Sequence, residues 1–159
     1  MQLSCTRLAH TIFSTSKSVN NQKKKGSAMP KSIKQEVVLN ASPAEVYSAL
    51  MDSHKHGAFT GAPAKISKKV GGAVSCYGGG IEAMNVELVA DKRIVQSWRG
   101  AQWKPGEWSL VIFNLKKKGK KTALTLEHYG VPDHDAAMVR KGWKDYYWTK
   151  MNDYFTKKK

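Results

Sequence analysis

Side chains that could do chemistry are few in this chain, and their spacing favours structural roles. His54 and His56 stand two residues apart beside Asp52. Residues i and i+2 of a helix point in different directions, so this pattern predicts surface histidines rather than a metal pair. His128 and His134 flank a Pro-Asp step, and we favour a solvent-exposed pair over a weak metal site because a third ligand is not evident. His128 has the chemistry of a general base, but no nucleophile is identifiable beside it.

The cysteine in the body of the chain and the nearby carboxylates also lack a catalytic arrangement. Cys76 has no recognisable histidine partner, which favours a buried, inert thiol. Gly78–Gly80 is not followed by Lys-Ser/Thr and opens no helix, so it predicts a β-turn rather than a phosphate loop. Glu82, Glu87 and Glu107 are dispersed over strands and form no acid–base pair. We therefore predict a protein that is not an enzyme, with no catalytic residue, no metal site and no cofactor.

Aromatic side chains are more informative, and five of them are tryptophans. The residues expected to face the space between a sheet and a helix are Phe59, Trp98, Trp108, Trp143 and Tyr147. Such a set fits either a plain core or the lining of an apolar pocket.

Two other tryptophans, Trp103 and Trp148, are expected at or near the surface. Each has a lysine nearby, and exposed tryptophans beside lysines are suited to anchoring a contact with another protein. The sequence therefore predicts that Trp103 and Lys104 bind a partner.

The net charge of +15 is concentrated in three places. Residues 1–35 hold seven basic residues and no acid, five lysines lie between positions 116 and 121, and three lysines close the chain. Without these fifteen residues, twelve basic residues stand against twelve acidic ones. Such runs are solvated segments that aid solubility, or they contact an acidic protein surface. Lys116, Lys117 and Lys118 are our predicted contacts. No aromatic motif accompanies the lysines, so no specific nucleic-acid role is predicted.

The sequence predicts three regions: a disordered or targeting leader over residues 1–31, a folded domain over residues 32–156, and a basic tail over residues 157–159. The leader is basic, acid-free and rich in hydroxyl groups, which is typical of a mitochondrial transit peptide. A disordered extension, or translation that starts at Met29, explains the same composition. We expect a cytoplasmic location, with a mitochondrial one as the alternative. No apolar run approaches the roughly 18 to 20 residues that span a bilayer.

Periodicity and capping residues predict the elements that must position these side chains. Ile33–Leu39 alternates like a strand, and Ser42, Pro43 and Glu45 form a helix start with a capping box. A second short helix, about six strands and a long helix over residues 134–155 follow. A curved antiparallel sheet needs its apolar face covered, and only the last helix is large enough to do so. The sequence thus predicts an α+β helix-grip fold, with six to seven strands wrapped on the C-terminal helix.

Three stretches carry a resemblance to a known family. They are Phe59–Ala64, then Ile94–Arg99 with Trp103–Trp108, and finally Gly130–Pro132 with Gly142–Tyr147. In this order and spacing, the chain resembles the C-terminal domain of the activator of the heat-shock protein 90 ATPase. That domain belongs to the START-like, birch-allergen-like helix-grip superfamily. The resemblance covers nearly all of the predicted domain.

The resemblance implies a co-chaperone that binds the heat-shock protein 90 chaperone and modulates its ATPase. Full-length activators carry a separate N-terminal domain tied to stimulation, and nothing in these 159 residues matches it. Binding is therefore implied more directly than stimulation. The alternative is a carrier or sensor of a hydrophobic small molecule in the sheet–helix cavity. Glu82, Asn85 or Gln96 would then supply polar groups inside a pocket larger than roughly 300 Å³.

Overall fold

The computed structural model of the protein describes residues 29–157. The expectations for the leader up to residue 28, including the mitochondrial alternative, and for Lys158 and Lys159 lie outside these residues. Secondary structure extends from Lys31 to Lys157. No helix in residues 29–157 is long and apolar enough to cross a membrane.

Seven strands and two short helices precede a long C-terminal helix. The strands are β1 (Lys31–Leu39), β2 (Ala64–Ile66), β3 (Ala73–Cys76), β4 (Ile81–Val89), β5 (Arg93–Gly100), β6 (Ser109–Lys118) and β7 (Lys121–Val131). The short helices are α1 (Pro43–Met51) and α2 (Ser53–Thr60). The C-terminal helix consists of α3 (Ala136–Gly142), a π-helical stretch (Trp143–Trp148) and α4 (Thr149–Lys157), which follow one another without a break.

The strands form one antiparallel sheet in the order β1-β7-β6-β5-β4-β3-β2. Successive side chains of a strand point to opposite faces. Accordingly, Val111, Phe113 and Leu115 of β6, and Leu124 and Leu126 of β7, are all buried on the inner face. The C-terminal helix and the two short helices cover that face, and this confirms the predicted α+β helix-grip fold.

The two short helices begin as their capping residues predict. The Ser42 side chain accepts a hydrogen bond from the Glu45 backbone N–H, and the Glu45 carboxylate accepts one from the Ser42 backbone N–H. Asp52 ends α1 and caps α2 by accepting bonds from the backbone N–H groups of His54 and Lys55. The hydrogen bond from Lys68, followed by the bond from the Lys55 backbone, lowers the pKa of Asp52 to about 2.

The long helix differs from its predicted form in two respects. It begins at Ala136 instead of residue 134, and Asp135, which precedes it, makes no side-chain cap bond. Its central six residues, Trp143–Trp148, are π-helical. A π-helical turn inserts an extra residue into the helix and is often found at functional sites. The wider turn changes which side chains face the sheet, so strict helical spacing does not describe this segment.

Candidate functional site

An aromatic cleft of about 310 Å³ lies between the sheet and the C-terminal helix. This volume is at the lower end for ligand pockets. No charged side chain lines the cleft. The residues that define the aromatic cleft here are Tyr77, Ile81, Trp98, Trp143, Tyr146 and Tyr147.

The tight turn after β3 supplies Tyr77 to one wall of the aromatic cleft. Gly80 N–H donates to the Tyr77 carbonyl at 3.2 Å, which closes the turn that the glycine run predicts. Tyr77 itself has a φ of 55°, which is uncommon for a residue with a side chain. Its hydroxyl donates to the Tyr146 carbonyl at 3.3 Å. The strained turn is therefore tied to the π-helical stretch across the cleft.

Three of the five residues predicted to line a cavity lie in the aromatic cleft: Trp98, Trp143 and Tyr147. Phe59 is buried elsewhere in the core, where its ring lies 5.8 Å from the ring of Tyr147. Trp108 is 48% exposed, so the expectation that it faces the sheet–helix space is wrong.

Ser109 and His128 form a buried pair with the composition of a catalytic dyad. The Ser109 Oγ lies 2.8 Å from His128 Nε2, and His128 Nδ1 lies 3.0 Å from Trp143 Nε1. An indole N–H only donates, so Nδ1 accepts and the proton of the neutral ring sits on Nε2. The Ser109 hydroxyl in turn donates to the Trp98 carbonyl. Because Nε2 already carries a proton, His128 cannot accept the proton of the Ser109 hydroxyl, and the pair is not a catalytic dyad. Its role is structural: the hydrogen bonds link β5, β6, β7 and the C-terminal helix.

Burial also fixes the charge of His128. Its side chain is fully buried, and loss of hydration lowers its pKa to about 3. The expectation that His128 is solvent-exposed is wrong. The sequence identified no nucleophile beside His128, and the structure places the Ser109 hydroxyl there. His134 is exposed as predicted.

His56 and Cys76 form a second buried pair, with Nε2 and Sγ 3.7 Å apart. Burial lowers the pKa of His56 to about 4 and raises the pKa of Cys76 to about 12. A thiol is an effective nucleophile only as thiolate, and here both groups are neutral near pH 7. The prediction of a surface histidine is correct for His54 and wrong for His56, and Cys76 does have a histidine neighbour. In the described part of the chain, no three potential metal ligands converge on one position.

The polar residues expected inside a ligand pocket are engaged elsewhere or exposed. Gln96 donates to Asn85 at 2.9 Å, and the Asn85 amide donates to the Ser67 and Lys69 carbonyls. Glu82 is exposed. None of Glu82, Asn85 and Gln96 lines the aromatic cleft.

Trp103 is 3% exposed, which corrects the expectation of a surface anchor. Its ring packs 5.2 Å from that of Trp98, and its Nε1–H donates to Asp135 at 2.5 Å. The carboxylate that precedes α3 therefore fixes the loop between β5 and β6. Trp148 is also buried, and its indole donates to Gln35. Lys104 remains exposed, as do Lys116, Lys117 and Lys118 at the β6–β7 hairpin.

The exposed tryptophan, Trp108, belongs to an apolar area on the outer face of the sheet. Leu110 stands opposite Tyr129 on β7 and opposite Ser97 on β5, and Ser97 stands opposite Met84 on β4. The Arg99 guanidinium lies 5.5 Å from the centre of the Trp108 ring. We call Met84, Trp108, Leu110 and Tyr129 the outer apolar patch; all four are exposed.

Sequence reasoning missed part of this site for identifiable reasons. His128 shares the alternation of Leu124 and Leu126, which was sufficient to predict that it is buried. Tyr77 gave no such signal, because it lies in a turn.

A seven-stranded antiparallel sheet with a cleft against a long C-terminal helix defines a helix-grip protein. A family model described as "Activator of Hsp90 ATPase homolog 1-like protein" matches residues 40–156, and the chain belongs to that family.

Relatives with established names support this assignment. The human activator of 90 kDa heat shock protein ATPase homolog 1 is 31% identical over 106 residues, which cover 67% of this chain and 31% of the relative. A Dictyostelium discoideum homologue is 30% identical over 115 residues, which cover 72% of this chain and 30% of the relative. The match thus spans less than a third of either relative. The crystal structure of an HSP90 activator from Plasmodium falciparum shares the fold, with a TM-score of 0.74 and 21% identity, covering 79% of this chain and 96% of that one.

Proposed function

We propose that this chain is a non-catalytic module that binds the HSP90 chaperone and modulates its ATPase. The observation that carries the proposal is membership of the activator family, over residues 40–156. The match covers 31% of the human relative, so binding is the primary expectation and stimulation is secondary. A cytoplasmic location remains a prediction.

The outer apolar patch supplies the contact surface for this proposal. Exposed apolar side chains grouped on one face mark interaction sites more often than scattered ones do. Tryptophan, tyrosine and arginine dominate binding energy at interfaces, and Trp108, Tyr129 and Arg99 stand together here. Trp108 thus takes the anchoring role that the sequence assigned to Trp103.

The basic hairpin, formed by Lys116, Lys117 and Lys118 at the turn from β6 to β7, lies on the same two strands that carry Leu110 and Tyr129 of the patch. Lys116, Lys117 and Lys118 end β6 and are exposed. Charges at the rim of an interface speed the encounter with an opposite surface more than they deepen affinity. We therefore assign these lysines to steering toward an acidic region of the chaperone. The absence of a specific nucleic-acid partner stays a prediction.

Calorimetric titration against HSP90 with a nucleotide analogue tests the proposal, at low and physiological salt. Trp108→Ala should weaken binding by about 30-fold, as removal of a hot-spot tryptophan does. Tyr146→Ala is the matched control, because Tyr146 is also about half exposed but lies on the helix side. An absence of binding by the unmodified chain in both buffers would reject the co-chaperone role.

A second function, the binding of a hydrophobic small molecule, is favoured by the volume of the aromatic cleft. Its lining offers ring faces and no charge, which suits a neutral ligand of one or two rings. Gly142 lines the cleft from the middle of the helix, where a larger side chain would occupy the space.

The neutral dye N-phenyl-1-naphthylamine is a suitable probe for the cleft. Its fluorescence should rise on mixing with the chain and should stay low with Gly142→Leu, whereas Trp108→Ala should respond like the unmodified chain. An equal response from the Gly142 variant would argue against binding in the cleft. Native mass spectrometry would reveal a ligand that co-purifies.

A further inference from the structure

Within residues 29–157, the first strand forms a long edge of the sheet that has no strand on its outer side. β1 has nine residues and pairs with β7 alone within residues 29–157. No backbone hydrogen bond joins its other side to a described residue. The strand at the opposite edge, β2, has three residues. Long open edges are rare in native sheets because they offer a row of unpaired N–H and C=O groups to other chains.

A groove of about 700 Å³ runs between β1 and the C-terminal helix. Val37, Ala137 and Trp148 contribute apolar surface to it. Gln35 bridges the two elements, because its amide donates to the Arg140 carbonyl at 2.8 Å and its oxygen accepts from Trp148 Nε1 at 2.6 Å. The strand edge and the helix are therefore held at a fixed spacing.

The rim of the groove is basic. Arg140, Lys141 and Lys144 line it from the helix, and Glu36 is the one acidic residue in its lining. Lys141 pairs with Asp145. Arg140 and Lys144 have no ion pair with any residue in the described part of the chain. Two cations are thus available to a partner beside an open strand edge.

We propose that β1 and this groove bind an extended acidic segment of a partner protein, which adds a strand to the sheet. In this mode the backbone bonds supply affinity, and alternate side chains supply specificity. Alternate residues of a strand are about 6.8 Å apart, and four residues of a helix rise about 6 Å. Carboxylates two residues apart on the segment therefore match Arg140 and Lys144. The surface shares no residue with the outer apolar patch or the aromatic cleft.

Fluorescence anisotropy with a labelled synthetic peptide tests the pairing. The peptide has about ten residues, a length that spans the edge strand, with glutamate alternating with valine. It should bind, whereas the same peptide with lysine in place of glutamate should not. Two further peptides carry N-methyl groups on one or the other set of alternate amides. Only one set faces β1 in a ladder, so one peptide should lose binding and the other should keep it.

Two double variants of the full chain test the charge assignment. Arg140→Glu with Lys144→Glu should weaken peptide binding by about tenfold or more. Lys116→Glu with Lys118→Glu makes the same change in net charge at the hairpin and should leave affinity within about twofold. Amide shifts confined to Lys31–Leu39 and the facing helix should accompany binding in NMR spectra.

Several results would overturn the proposal. They are failure of the glutamate peptide to bind, equal binding by both methylated peptides, and equal weakening by both double variants. A dimer of the chain that forms without peptide and dissociates in the Arg140/Lys144 variant would assign the edge to a second copy instead.

Discussion

Trp143 connects the C-terminal helix to the sheet at the centre of the candidate site. Its ring stacks on Trp148 at 5.7 Å and lies 5.6 Å from Phe113 and 4.6 Å from Tyr147. Its N–H satisfies the buried Nδ1 of His128. The residue thus joins the helix to the sheet, forms a wall of the aromatic cleft and sets the His128 tautomer.

Trp143→Ala should lower the free energy of unfolding by about 3 to 5 kcal/mol, as truncation of a buried tryptophan does. The variant also leaves His128 Nδ1 without its donor, which places the loss toward the upper end. Trp108→Ala is the matched control; because Trp108 is half exposed, its loss should stay below about 1 kcal/mol. Urea denaturation measures both, and similar losses would contradict the assigned burial.

The two buried histidines make stability depend on pH. Burial lowers the pKa of His56 to about 4 and that of His128 to about 3, whereas an unfolded histidine titrates near 6.5. Below pH ~6.5 the unfolded chain therefore binds more protons than the folded one. Stability should be complete above this pH and should fall by up to about 1.4 kcal/mol per histidine for each pH unit of acidification, until the folded pKa is reached.

Urea denaturation at a series of pH values between about 7 and 4.5 measures this slope. His56→Gln should reduce the slope by about half, because one of the two buried histidines remains. Protonation of Asp52 reduces stability only at lower pH, because the pKa of its carboxyl is lowered to about 2 in the folded chain. A slope that is insensitive to His56→Gln would contradict the assignment.

At the scale of elements, the C-terminal helix carries a glycine at a position where alanine is expected to make the helix more stable. Gly142 has φ −58° and ψ −43°, which any residue adopts. An added Cβ would lie 3.8 Å from Tyr146 Cδ2, an ordinary contact. Glycine in a helix interior costs about 1 kcal/mol relative to alanine. Its presence leaves room in the aromatic cleft at the expense of helix stability.

Gly142→Ala should therefore raise the free energy of unfolding by about 0.5 to 1 kcal/mol and weaken binding of the naphthylamine probe. Gly61→Ala is the control, since Gly61 ends α2 with a φ of 75°; alanine there should cost about 1 to 2 kcal/mol. Thermal and urea denaturation give the stabilities, and probe fluorescence gives the affinity. A Gly142 variant that is less stable would mean that the helix packs differently against the sheet.

Elements with a regular period were predictable from sequence, and irregular segments were not. Ser42 and Glu45 predicted the start of α1, and alternation predicted the strands. In β6, however, both alternating sets are apolar, and either one could have faced the helix. Trp108 continues the set that points outward, opposite to Val111 and Phe113. Trp103 lies in a loop with no period to read, and its burial depends on Asp135, 32 residues away.

The π-helical stretch illustrates the same limit. In the helix predicted over residues 134–155, the i, i+3, i+4 spacing of apolar residues favours a buried stripe that includes Trp143 and Tyr147, and both are buried. The same spacing included Tyr146, which is exposed, and left out Trp148, which is buried. An extra residue in the turn moves side chains around the axis, and no local residue type announces it. The aromatic composition of the cleft was thus predictable, and its exact lining was not.

At the scale of the whole molecule, the three proposed surfaces can be altered one at a time. The aromatic cleft, the outer apolar patch and the β1 groove share no lining residue. The sequence located the basic hairpin correctly, because charge runs need no tertiary information. It gave no indication of the β1 groove, whose cations come from a helix and whose edge comes from a strand about 100 residues earlier.

The basic hairpin leads to a kinetic prediction for chaperone association. Lys116, Lys117 and Lys118 are exposed and form no ion pair within residues 29–157, so their field acts on an approaching partner. Changing all three to glutamate should lower the association rate constant for HSP90 by about tenfold at low salt and much less at physiological salt, because salt screens exposed charges. The dissociation rate should change little, since rim charges contribute little to the bound state.

Trp108→Ala should give the opposite pattern, with faster dissociation and a nearly unchanged association rate. Surface plasmon resonance at two salt concentrations separates the two effects. If the lysine variant instead dissociates faster at both salt concentrations, the hairpin is part of the contact itself and does not merely steer the encounter.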